Sequence, residues 1–161
     1  MKFSTAEEKS FIETRKQNPN LIWSNGLSMA CRDLVIQNGP YGVDGHAALT
    51  DGDQQFRAKK YATFEGKVAE VLVYNPIEYS SNVENNIWEA REEYTDFLKL
   101  TDKTEKEALF EPKYTHVGIQ CGCHITKEDF CCFMYGTNVK DKDGVKLKHV
   151  LNVDKENCDE S

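Results

Sequence analysis

Two groups of side chains in this 161-residue chain are of types that do chemistry. The first is a run of thiols around one imidazole, Cys121-Gly-Cys123-His124 followed by Cys131-Cys132. The second is a pair far apart in sequence: His46, inside a stretch with glycines at 42, 45 and 52, and Glu70, a single acid inside the apolar segment VAEVLVY. Imidazole nitrogens and carboxylate oxygens suit a divalent ion such as zinc, and thiolates suit zinc as well.

The cysteine run has to be read through the backbone that carries it. Residues 114–125 and 130–135 read as two strands joined by Thr126-Lys127-Glu128-Asp129. A four-residue turn there sets Cys123 opposite Cys132, His124 opposite Cys131 and Cys121 opposite Met134. Alternation then splits the ligands, with Cys121, Cys123 and Cys132 on one face and His124 and Cys131 on the other. A tetrahedral site needs four converging ligands, usually from a C-x₂₋₄-C turn, and C-x-C in an extended strand lacks that turn. The expected state is buried free thiols acting as small hydrophobes, with a cross-strand Cys123–Cys132 disulfide as the alternative in an oxidising compartment. The same alternation separates each thiol from the adjacent histidine, so no activated nucleophile emerges. The glycines around His46 lack the G-x-x-x-x-G-K order of a phosphate loop and serve instead to supply positive φ.

The elements that must position these residues follow from periodicity. Residues 4–17 read as a helix ended by Asn18-Pro19-Asn20, and residues 21–23 as a short apolar loop. Leu27, Ala30, Cys31, Leu34 and Val35 recur at i, i+3, i+4, i+7 and i+8 and mark a helix over 26–38, stopped by Gly39-Pro40. Asp53 can cap a short helix to Tyr61. Residues 68–74, bounded by Gly66 and Asn75-Pro76, read as a buried strand. A long helix over 81–100 carries Val83, Ile87, Trp88, Tyr94 and Leu98 on one stripe, and a short helical turn follows Thr104. Asp143-Gly144 can turn a small outer hairpin.

With the elements in this order, the local motifs resemble the CAP (SCP/pathogenesis-related) superfamily. GLSMACRDLV (26–35) is similar to that family's second helix, GPYGVDGH (39–46) to the loop delivering its first site histidine, GKVAEVLVY (66–74) to the strand delivering its first site glutamate, and YTHVGIQC (114–121) to its later strand. The resemblance implies an α/β (α+β) fold, a three-layer α-β-α sandwich with a small central antiparallel sheet, over residues 1–136, with 137–161 as a charged, partly flexible extension. It also implies a divalent-metal site of two histidines and two acids, of which only His46 and Glu70 stand in place. Glu70 is flanked as Ala-Glu-Val rather than Gly-Glu-Asn, residues 101–112 contain no histidine, and Glu92, Glu93, Asp96 or Glu105 would have to supply the second acid or its substitute. The half-site is expected to hold a metal such as zinc only weakly, with no other cofactor.

Composition narrows the partners. A net charge of −7 argues against nucleic acid, no run of about 18 apolar residues supplies a membrane span, and with Lys2 in place of Gly no myristoyl anchor is expected. Lys140, Lys142, Lys146 and Lys148 alternate with aspartates and read as a solvated tail, with docking to an acidic partner as the alternative. MKFSTAEEKSF lacks the apolar stretch of a secretory signal, so a cytoplasmic location is expected. Together these give a non-enzymatic, CAP-like structural or interaction component working with protein partners in a larger assembly, for which cytoskeletal and ciliary complexes are candidates. The alternative is a secreted or lumenal CAP protein binding a divalent metal, small lipid or sterol between His46 and Glu70.

Overall fold

A computed structural model describes residue 15 and residues 18–74, 114–126, 128–148 and 150, with the backbone alone at 73, 74, 128 and 129. The helices expected over 4–17, 81–100 and after Thr104 lie outside the described residues.

Within them the fold is mixed α/β: β1 (Ile22–Trp23), α1 (Asn25–Asn38), a 3₁₀ turn (Gly39–Tyr41), α2 (Gln54–Tyr61), β2 (Ala62–Tyr74), β3 (His116–His124) and β4 (Glu128–Asp141). The strands form a four-stranded sheet in the order β1-β3-β4-β2. β1 runs parallel to β3, and the other two pairings are antiparallel. Residues 22–23, expected as loop, are thus a short edge strand. Neither helix is long and apolar enough to cross a membrane.

The helices start where capping chemistry places them. Ser24 Oγ accepts from Leu27 N at 3.1 Å at the head of α1, and Asp53 Oδ1 accepts from Phe56 N at 2.9 Å at the head of α2. Each bond satisfies a helix donor that has no intrahelical partner. Asp141, at the end of β4, adds a second cap to α1: its carboxylate accepts from Ser24 Oγ (2.6 Å), Gly26 N (3.0 Å) and Asn25 N (3.1 Å).

β2 begins at Ala62, not near Val68. Gly66, which reads in sequence as the strand's boundary, has φ +67° and sits where the β2–β4 register shifts. It is a bulge inside one long strand, the other structural use of a strand glycine. β4 likewise continues past Gly136 to Asp141, and Val139 and Val150 belong to the core, so chain from the expected extension is built into the fold. Asp143-Gly144 does form a turn, with Gly144 at φ +82°.

Alternation organises the core around α1. Val68, Glu70 and Leu72 of β2, Gly118 and Gln120 of β3, and Phe130, Cys132 and Met134 of β4 point to the helix; Ala69, Val71, Val117, Ile119, Cys121, Cys131, Phe133 and Tyr135 form a second buried cluster on the other face. Gly118 lets the two layers meet closely, since a Cβ there would overlap the backbone of Ser28 and Leu27.

The β3–β4 register corrects the expected thiol geometry. Cys121 pairs with Cys131, Gln120 with Cys132, and His124 with Glu128. Glu128 and Asp129 are therefore strand residues rather than turn residues, and the pairing is displaced by an odd number of positions. Such a slip moves side chains to the opposite face. Cys132 accordingly faces α1, where it forms a disulfide with Cys31, and Cys121 forms a cross-strand disulfide with Cys131. Cys123 is disulfide-bonded too, and no described cysteine is a free thiol.

These bonds overturn the expectation of free thiols in the cytoplasm. Disulfides form and persist in oxidising compartments and are rare where glutathione keeps thiols reduced. The cytoskeletal and ciliary settings rested on that location and fall with it.

Candidate functional site

His46 and Glu70 do meet. Glu70 projects from β2 toward α1 because it shares the parity of Val68 and Leu72, and its side chain is wholly buried. His46 is delivered by the loop between α1 and α2, and its Nδ1 lies 2.8 Å from Glu70 Oε1, with about a third of the side chain still exposed.

The loop has a definite shape because the C-terminal turn of α1 holds it. Asn38 donates through Nδ2 to Ala47 O (3.0 Å) and accepts from Leu49 N at Oδ1 (3.1 Å). Gln37 Oε1 accepts from Thr50 N and Asp51 N at 2.9 and 3.0 Å. Gly42, Gly45 and Gly52 take positive φ along the way, as their spacing suggests. Asp51 also accepts from the Gln37 amide, which holds its carboxyl below the usual range.

Arg57, on α2, completes the site and is the residue that the sequence reading passed over. Its side chain is fully buried, and its donors reach four residues in three parts of the fold: Nε to Gly52 O (3.0 Å), Nη1 to Ala30 O (2.7 Å), Nη2 to His46 O (2.9 Å), and Nη2 to both Glu70 oxygens (3.0 and 2.8 Å). One guanidinium therefore ties α1, the glycine loop and β2 together while neutralising the buried acid. A signal for it exists in QQFRAKKY. Arg57 falls on the same helical face as Ala58 and Tyr61, and a buried arginine needs a buried acid, which Glu70 alone supplies in VAEVLVY.

Around the site, α2 is fastened to α1 by a second polar cluster. Lys60 Nζ lies 3.0 Å from Asp33 Oδ2 and 3.1 Å from Asp51 Oδ2, and Tyr61 donates to Asp33 Oδ2 at 2.7 Å. Burial, followed by the bond to Asp33, pushes the Tyr61 phenol up to about 12. At the far end of the loop, His124 is fully buried against Phe130, with Nε2 3.0 Å from Asp44 Oδ1 and Nδ1 3.1 Å from Thr126 Oγ1. His124 thus pins the β3–β4 turn to the loop rather than joining the thiols.

The disulfide Cys31–Cys132 forms one wall of the site, since Cys132 Sγ sits 3.2 Å from Glu70 Oε2. The remaining candidates for an acidic ligand, Glu92, Glu93, Asp96 and Glu105, lie outside the described residues.

No protein-family model matches the chain. No curated protein matches it. Among solved structures, the crystal structure of an extracellular protein containing an SCP domain, from Bacillus anthracis, is similar over 81% of this chain and 38% of that one, at 14% identity and a TM-score of 0.47, so this chain spans well under half of that structure's length.

Proposed function

We propose that this chain is a non-enzymatic module of a secreted or lumenal setting, working through contacts with other proteins rather than through catalysis. The observation that carries the reading is the Arg57–Glu70 pair. Both oxygens of the acid beside His46 already accept from a buried guanidinium, so Glu70 is committed to holding three elements together and is poorly placed to act as a base. A divalent ion between His46 and Glu70 would add two positive charges beside Arg57, whose charge already balances the carboxylate, and burying uncompensated charge is costly. The disulfides support the setting, because a module outside the reducing cytoplasm gains stability from such covalent ties.

The test is zinc titration of the native, non-reduced protein, followed by thermal unfolding. No zinc-dependent rise in Tm is expected, and His46→Ala is expected to behave as the parent does. A saturable rise that disappears in His46→Ala would establish a metal-binding role in place of this one.

A further inference from the structure

Cys31 Sγ, Cys132 Sγ and a carboxylate oxygen of Glu70 lie within 4.8 Å of one another, and all three residues are buried. They come from three packed elements, α1, β4 and β2. We propose that in the dithiol form of this chain they make a site for a soft divalent cation, zinc by preference, which formation of the Cys31–Cys132 disulfide abolishes. Because this proposal concerns the reduced chain, it stands apart from the function proposed for the oxidised one.

Three observations carry the argument. The first is donor chemistry: two thiolates and a carboxylate are a zinc ligand set, and His46, with Nδ1 2.8 Å from Glu70 Oε1, stands beside it. The second is spacing. Tetrahedral bonds of about 2.3 Å to two thiolates put the sulfurs about 3.8 Å apart, and Cys31 and Cys132 face each other from two packed elements with their Cα atoms 5.5 Å apart across the bridge, so once the bridge is reduced the sulfurs have to part to about that sulfur–sulfur distance to hold the ion. The third is charge. Two thiolates, one carboxylate, the Arg57 guanidinium and a doubly charged cation sum to zero, as do Glu70 and Arg57 alone beside the disulfide. Arg57, which disfavours a cation held by His46 and Glu70, balances one held with the thiolates.

The balance of the step is simple. A dithiol reductant gives two electrons and two protons to the Cys31–Cys132 bond and leaves as its own disulfide, so that two thiols replace one S–S bond. Zinc binding then displaces both thiol protons to solvent as two Zn–S bonds form. A newly made chain is in the dithiol form before it is oxidised, and metal bound there would compete with closure of the bridge, since disulfide formation needs the thiolates that the metal occupies.

The experiment is anaerobic titration of the phosphine-reduced full chain with Co²⁺ alone, reading the thiolate-to-cobalt charge-transfer band. One equivalent should saturate the band in the parent chain. The band should vanish in Cys31→Ser, persist in Cys123→Ser and in a Cys121→Val/Cys131→Val double variant, and require about tenfold more cobalt or beyond in Glu70→Gln. The non-reduced chain should show none. The proposal is overturned if the reduced parent gives no band, whether or not far-UV circular dichroism shows it folded. It is equally overturned if the band survives Cys31→Ser or is lost with Cys121, Cys131 or Cys123.

Discussion

Arg57 Nη2 donates to both oxygens of Glu70, at 3.0 and 2.8 Å, and neither side chain reaches solvent. Removing one partner leaves a buried charge uncompensated, which costs about 3–5 kcal/mol, whereas replacing both by apolar residues of similar volume is often close to neutral. Arg57→Met and Glu70→Met should each be strongly destabilised in urea unfolding, and the double variant should recover most of the loss. Additive losses in the double variant would mean that the hydrogen bonds of Arg57 to the loop and α1, rather than the charge pair, carry the stability.

The two described disulfides close loops of very different length, with sequence separations of 101 and 10. On the chain-entropy account, closing a loop of about 100 residues contributes about 4.7 kcal/mol, and a loop of about 15 residues about 3 kcal/mol. Cys31→Ala/Cys132→Val should therefore lower Tm more than Cys121→Val/Cys131→Val. Peptide mapping of the native protein after alkylation should recover the Cys31–Cys132 and Cys121–Cys131 pairs. A native Cys123–Cys132 pair would contradict the register of β3 on β4.

What could be read from the sequence divides along physical lines. Local signals were sufficient for α1, where the apolar spacing and the Gly39-Pro40 stop agree, and for α2, where Asp53 supplies the cap. They gave the core of β2 but misplaced its start, because a glycine looks the same in sequence whether it ends a strand or bulges it. The hairpin pairing depended on a guessed turn, and an odd slip there sent Cys132 to the wrong face. His46 and Glu70 were legible as a pair through family resemblance, whereas Arg57 required weighing two buried opposite charges from separate elements. The oxidation of Cys31 with Cys132 joins residues far apart in sequence and had no local signature. Inferring the compartment from the N-terminal residues then pointed the wrong way.

Gly118 is where α1 and the sheet come closest, and a Cβ at that position would overlap the Ser28 amide and the Leu27 carbonyl carbon. Backbone cannot swing aside as a side-chain end can, so the cost is that of overpacking, about 1–3 kcal/mol or somewhat more. For a domain of this size each kcal/mol corresponds to roughly 2–4 °C in Tm. Gly118→Ala should fall by about 2–12 °C, while Gly144→Ala, in an open turn with no atom near the added carbon, should lose less and carry only the backbone strain of a non-glycine residue at φ +82°. Equal effects at the two positions would show that α1 does not pack on β3 as closely as described.

His116 gives the fold a pH dependence whose sign can be worked out. Burial disfavours its charged form and lowers its pKa below the ordinary 6.5, with Asp141 opposing the shift. The unfolded chain therefore binds the proton more readily than the folded one, and stability falls as pH drops below about 6.5 toward the folded value. Below that lower value both states are protonated and the loss levels off. A nuclear magnetic resonance titration should place the His116 midpoint below 6.5, and His116→Gln should lose less stability than the parent between neutral pH and about pH 5. A midpoint above 6.5 would mean that Asp141, which also caps α1 through Ser24 and Gly26, outweighs burial at this position, and the acid sensitivity would then have to come from elsewhere in the fold.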